Sequence, residues 1–169
     1  MKKLLVLCSL MLLSLTGLAL AVDQTDIAQH ASCQYCGMDR QKFAHSRMLI
    51  EYADGSKAGL CSLHCAALDL ANQLDKTPAA IKVGDYNSKE LIDAETAAWV
   101  MGGKVNGVMT ARAKWAFAKK DDAAKFVAEN GGEIVDFEAA INAAYQDMYQ
   151  DTRMIRQRRL EKKKMNMKM

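Results

Sequence analysis

Proline is nearly absent from this chain of 169 residues: Pro78 stands alone, so "DKTPAA" is the clearest break between blocks of structure. Aromatic residues are few, 7% of the chain, against 50% apolar overall, which supports a modest core rather than a large one. There is no Ser-His-Asp order, no HExxH pair and no phosphate loop. Gly102, Gly103 and Gly107 lack the Lys-Ser/Thr ending that a nucleotide cradle needs. No segment repeats at a fixed period. These absences set aside the commonest hydrolase and nucleotide-binding readings and leave one or two small lobes.

The first residues, "MKKLLVLCSLMLLSLTGLALAVDQ", read as a secretory signal, with Lys2 and Lys3 as the basic start and Ala19-Leu20-Ala21 as the cleavage site. The competing reading is an uncleaved anchor, since the apolar stretch approaches spanning length. Ser9, Ser14, Thr16 and Gly17 weaken it, and no basic stop-transfer cluster follows. Cys8 follows Leu7, whereas a lipoprotein acceptor cysteine follows a small residue. The expectation is a periplasmic protein cleaved after Ala21. Its charge is uneven. From Arg153 onward eight Lys/Arg face only Glu161, a tail of +7, while the rest of the mature chain carries 13 basic and 19 acidic residues. The tail has no aromatic residue to stack on bases, so nucleic acid is a poor partner. Contact with an anionic membrane surface or an acidic partner fits better, and a solvated helix end without function is the bland alternative.

After a polar arm at residues 22–32, "FAHSRMLIEYADGSKAGLC" gives strand, Asp54-Gly55 turn, strand. "SLHCAALDLANQL" has apolar residues at helical spacing, with Ser62 as a possible N-cap. This first lobe reads ββα. A second, βαβ lobe joins near residues 75–80. It has strands at "IKVGDY", Trp99–Met101 and Lys114–Ala118, then a helix capped near Asp121 or Asp122 and stopped by Gly131-Gly132, and a strand at Glu133–Phe137. A long helix follows with an apolar stripe of Ile141, Ala144, Tyr145, Met148, Thr152 and Ile155, forming a basic extension over residues 142–169 whose end, "MNMKM", is expected to be disordered. The class is α+β.

Sulfur is what the chain does have. Cys33, Cys36, Cys61 and Cys65 survive maturation, and export permits disulfides in three possible pairings. In Cys33-x-x-Cys36 both sulfurs can reach one ion, and Gly37 lets the chain turn around it. Met38 can add a thioether, a soft donor that suits Cu(I) and has no preference for zinc, or it can simply pack. Cys61 and Cys65 share one face of a helical turn, and the hairpin folds them back toward the first pair. Cys-x-x-Cys, hairpin, then a cysteine pair at a helix start resembles the treble-clef and metal-trafficking arrangement, so a four-sulfur Zn(II) site competes. His64 lies roughly 100° from Cys65 around the helix and is a weaker ligand candidate. His45 falls in a strand pattern and reads as structural, and His30 lies in the arm. A thiol-disulfide catalyst is disfavoured, because the pair precedes a strand and lacks the helix start that lowers a thiol pKa.

"CQYCGM", "DYNSKELIDAETAAWVMGG", "NGVM" and "AFAKKDDAAKFVAENGGEIVDFEAAI", in that order, resemble the nitrous-oxide-reductase accessory family of NosL-like proteins from about Cys33 to Ile141. The resemblance implies a periplasmic copper chaperone that is not an enzyme. It would bind Cu(I) and deliver it, with copper-delivery or ABC-type maturation machinery, to the apo form of nitrous oxide reductase. It implies a small α+β fold with ββα and βαβ halves. Cys36 and Met38, with Cys33 beside them, take the family's metal-binding positions, and Met109 takes the methionine of the second lobe. Three features depart from the common pattern: no convincing lipoprotein cysteine, Val108 where proline is usual, and the extra Cys61 and Cys65. Those two cysteines would bind a second ion, hold zinc structurally, or cross-link hairpin to helix. In the tail, Met165, Met167 and Met169 are further soft donors.

Overall fold

The computed structural model describes residues 24–167, so the expected signal segment and Met169 lie outside the described residues. Strand β1 (Met48–Tyr52) and β2 (Lys57–Leu60) form the expected hairpin, with Met48 opposite Leu60 and Ile50 opposite Ala58. Asp54 closes its turn by accepting from the Ser56 amide at 2.8 Å and hydroxyl at 2.6 Å. Helix α2 (Leu63–Asn72) starts after Ser62, whose hydroxyl makes no capping bond to it; Leu63, Cys65, Ala66 and Ala67 turn inward. An earlier, shorter helix, α1 (Thr25–Gln29), occupies the segment read as an arm.

The class is α+β, as expected, but the join between the lobes is not near residues 75–80. Strand β3 (Pro78–Gly84) adds to the open edge of β1, Ile50 opposite Ile81, and β4 (Leu91–Asp93) adds to β3. The first sheet is therefore four-stranded, β2-β1-β3-β4, and the chain leaves it only after Asp93. The second sheet is β6-β5-β7, all antiparallel, from β5 (Ala98–Met101), β6 (Lys114–Phe117) and β7 (Glu133–Val135). Helix α3 (Lys120–Asn130) links β6 to β7; its N-cap is Lys119, with no bond from Asp121 or Asp122 to the cap. Its C-terminal turn passes Gly103 so closely that a Cβ there would sit 2.7 Å from the Gly131 carbonyl, which explains the facing glycine pairs.

Helix α4 (Phe137–Asn166) is capped by Asp136, which accepts from the Ala139 amide at 2.8 Å. It runs through Met165 and Asn166, where a disordered end was expected. Its buried face is Ala140, Ala143, Ala144 and Asp151; Tyr145 from the expected stripe is largely exposed. The core is continuous across both sheets, with Trp99, Trp115 and Phe117 from one and Met48, Ile50 and Leu60 from the other. Cys33, Cys61 and Cys65 belong to this same core.

The arm is docked because of one carboxylate. Asp26 accepts from Arg40 at 2.6 Å and from Arg47 at 2.9 and 3.0 Å, and all three side chains are buried. Burial works to raise the Asp26 pKa, but the Arg47 hydrogen bonds and charge, then those of Arg40, overcome it and hold the carboxyl below its usual range. His45 is likewise not in a strand; it lies in the turn before β1, against the Tyr86 and Trp115 rings. Burial, then the Lys89 charge, holds its imidazole below the usual pKa.

Candidate metal centre

The Cys33–Arg40 loop is a tight return. Cys33 donates its amide to the Met38 carbonyl at 2.8 Å, Gly37 donates back to the Cys33 carbonyl at 2.9 Å, and Gly37 takes φ +74°, open to glycine at little cost. The loop is then fastened to the strand that delivers Cys61. Gln34 donates its amide to the Gly59 carbonyl at 3.1 Å, and Arg40 Nε donates to the Leu60 carbonyl at 3.1 Å. Ser46 Oγ donates to the carbonyl of Cys61 itself at 2.9 Å. Tyr35, between the first two cysteines, donates to Asp69 at 2.8 Å, and Tyr52 donates to the other oxygen of that carboxylate at 2.5 Å. Asp69 lies one helical turn beyond Cys65, so the loop is tied to α2 as well as to β2.

This scaffold brings Cys33, Cys36, Cys61 and Cys65 together with all four Sγ atoms within 4.8 Å of one another. Cys36 and Cys61 are 3.4 Å apart and Cys61 and Cys65 3.7 Å apart, and all four are free thiols. A tetrahedral ion with metal–sulfur bonds near 2.3 Å needs sulfur–sulfur edges of about 3.8 Å. The cluster is therefore close to a ligand cage. Its thiols do not share protons equally. Cys33 is pushed far below the ordinary thiol range by S–H donation from Cys36, then Cys61 and Cys65. Cys36 is raised by Cys33 but lowered overall by Cys61 and Cys65. Cys61 and Cys65 are pushed up, first by Cys33 and Cys36 and further by burial. The four thiols titrate as one coupled set, so the first charge belongs to the cluster.

Cys33, Cys61 and Cys65 are buried, and Cys36 alone is half-exposed. It opens into a surface depression that Met109, His64, Tyr35, Ile155 and Arg159 also line. Met109 reaches it from the β5–β6 loop with φ +61°, a left-handed conformation that costs a methionine about 1–2 kcal/mol. Helix α4 holds that loop: Asp147 accepts from Arg112 at 2.9 Å and from Lys114 at 2.8 Å, and Asp151 accepts from the Ala111 amide at 2.9 Å. Met38 is half-buried on the cysteine loop and packs against the core rather than lining the depression. His64 is buried, not turned to solvent, with Nδ1 3.5 Å from Asp151 Oδ2.

Against known proteins, the sequence matches the NosL family over residues 24–145. The chain belongs to the NosL family. That family comprises copper chaperones, not enzymes. The solved structure of the copper chaperone NosL from Shewanella denitrificans aligns with a TM-score of 0.54 at 23% identity, over 71% of this chain and 92% of that one. At that identity the likeness concerns the fold. A comparison with curated proteins returned no match. The NosL match begins before α1, so the docked segment belongs to the family domain. It ends inside α4, so Asp147, Asp151 and Arg159 approach the centre from beyond the matched segment.

Sequence reasoning missed Asp26, Arg40, Arg47, Asp69 and Asp151. The one available signal was Arg40, two residues after Met38 of the cysteine motif. The carboxylates carry no local signal, because their partners are 14 to 40 residues away.

Proposed function

We propose that this NosL-family chain is a periplasmic Cu(I) metallochaperone. The observation that carries the reading is the convergence of four thiols behind one half-exposed cysteine, Cys36, with Met109 at its mouth. A buried sulfur set gives affinity for a soft ion, and a partly open sulfur gives an acceptor a point of attack. The ion then passes through a shared intermediate, bound to donor and acceptor ligands together, without release. Cys36 is the exchange sulfur, Cys33, Cys61 and Cys65 stand behind it, and Met109 supplies a neutral thioether that needs no deprotonation. The client is an apo copper enzyme, nitrous oxide reductase by family membership, reached with ABC-type maturation machinery.

The test is anaerobic titration with Cu(I) under a competing chelator, followed by transfer to the apo reductase. Cys36→Ser should lower affinity by more than the roughly ten- to hundredfold typical of losing a supporting contact. Unchanged affinity and stoichiometry in both Cys36→Ser and Met109→Leu would remove the proposed site. The convergence of four thiols within 4.8 Å of one another also favours a second reading, a structural Zn(II) ion held by the four cysteines. It predicts zinc retained through purification and unfolding on chelation.

A further inference from the structure

The four free thiols have a chemistry of their own that needs no metal. Cys36 Sγ and Cys61 Sγ are 3.4 Å apart, nearer than Cys61 and Cys65 at 3.7 Å. A disulfide bond is about 2.05 Å long, so joining them needs a closure of roughly 1.4 Å. Gly37, next to Cys36, is at φ +74° with open space beside it, so the loop has room to follow the sulfur. Access then orders the set. Cys33, Cys61 and Cys65 are buried and Cys36 is half-exposed, so a molecule arriving from solvent meets Cys36 first. The depression into which Cys36 opens has a volume of about 150 Å³; its charged residues are Arg156 and Arg159, and no acidic residue lines it. That composition suits a small anionic disulfide. Outside the reducing cytosol, where the chain is proposed to act, disulfides are present to react.

We infer that Cys36 and Cys61 are a thiol–disulfide exchange pair, in which a small anionic disulfide reacts at Cys36 and Cys61 then closes an internal Cys36–Cys61 bond. In the first step the Cys36 sulfur attacks one sulfur of the disulfide RSSR. A Cys36–SR bond forms, the S–S bond of RSSR breaks, and one RSH leaves with the Cys36 proton. In the second step the Cys61 sulfur attacks Cys36 Sγ, the Cys36–SR bond breaks, and the second RSH leaves with the Cys61 proton. Two cysteine thiols lose two electrons, one disulfide is reduced to two thiols, and nothing else is consumed. Cys61 is buried and does not line the depression, so it reaches Cys36 from the interior and the leaving thiol departs into solvent. The pairing thus crosses from the loop to the hairpin instead of staying within Cys33-x-x-Cys36. A closed bond withdraws the one half-exposed sulfur from any ion, so oxidation and metal loading exclude each other. That consequence rests on the copper reading; the cross-link itself does not.

The test uses the reduced, metal-free protein spanning residues 22–169, equilibrated without oxygen in buffers of reduced and oxidised glutathione. After quenching by alkylation it is digested with trypsin and chymotrypsin; cuts after Tyr35 and Leu63 separate Cys33 from Cys36 and Cys61 from Cys65. Mass spectrometry should find two thiols lost to one Cys36–Cys61 disulfide, with Cys33 and Cys65 alkylated. Cys61→Ala should stop at the first step, with one glutathione on Cys36. A Cys33–Cys36 or Cys61–Cys65 bond, a lasting glutathione adduct in wild type, or four unreacted thiols across the series overturns the inference. The wild-type map decides this alone should Cys61→Ala not fold. The oxidised protein, freed of glutathione, should lose its binding of one equivalent of Cu(I) and regain it with dithiothreitol; undiminished binding overturns the exclusion. Reduced protein that fails to bind Cu(I) overturns the copper reading and leaves the cross-link standing.

Discussion

Asp26 carries more of this fold than its place in a polar N-terminal stretch suggests. Arg40 is fully buried, and besides Asp26 it donates to the carbonyls of Asp26, His30, Met48 and Leu60, so one guanidinium joins α1, the cysteine loop and both strands of the hairpin. Removing the carboxylate leaves two buried cations facing each other, a change that typically costs about 3–5 kcal/mol. Asp26→Asn should therefore show that loss in urea melts at neutral pH. The pH dependence follows from the depressed pKa: the stabilisation is fully present above the unfolded-state value of about 3.9 and is lost as pH falls through the lower folded-state value. Wild type should lose stability steeply below about pH 4. The variant should show a shallower acid limb, and an equally steep one would mean other carboxylates dominate. Around the four cysteines, Met38 and Met109 both pack against the core, and Met109 also lines the depression into which Cys36 opens. Met109→Leu should weaken Cu(I) retention more than Met38→Leu, as judged by chelator competition.

Elements were legible in the sequence where their signals are local. The hairpin follows from alternation around Asp54-Gly55, and the four-cysteine convergence follows from that hairpin plus the i, i+4 spacing on α2. What was not legible depends on pairing at a distance. β3 satisfies the free edge of β1, about 30 residues earlier, and nothing in "PAAIKVG" names its partner sheet. The burial of His64 was not legible because helical spacing says nothing of α4, which packs against α2. Helix α4 is thus a strap over the centre. Asp147 and Asp151 fasten the Met109 loop, and Arg159 donates to the Cys36 carbonyl at 3.3 Å. Truncation after residue 145 should lower the melting temperature, because Lys114, whose side chain is 3% exposed, loses Asp147. It should also weaken Cu(I) binding by freeing Met109. Truncation after Leu160 removes only exposed residues from the described segment and should change neither. Equal behaviour of the two truncations in calorimetry and copper titration would show that α4 is an appendage.

Across the whole molecule charge is separated from the sulfur site by less than a helix length. Arg156 and Arg159 rim the depression, and Arg158, Lys162, Lys163 and Lys164 continue along the exposed end of α4. Among the described residues no helix is long and apolar enough to cross a membrane. A basic helix end is worth about 1 kcal/mol per Lys or Arg at an anionic bilayer, falling off within a Debye length. On that scale the expected outcome is weak, salt-sensitive attachment of the tail to an anionic surface. Co-sedimentation of a chain spanning residues 22–169 with vesicles containing anionic phospholipid should therefore show binding at low ionic strength, lost at about 0.5 M salt and absent on neutral vesicles. Deleting residues after Leu160 removes four lysines and one glutamate and should abolish most of it without altering Cu(I) affinity. Salt-insensitive binding, or binding unchanged by the deletion, would assign the attachment to an apolar surface and leave the tail's charge to a protein partner.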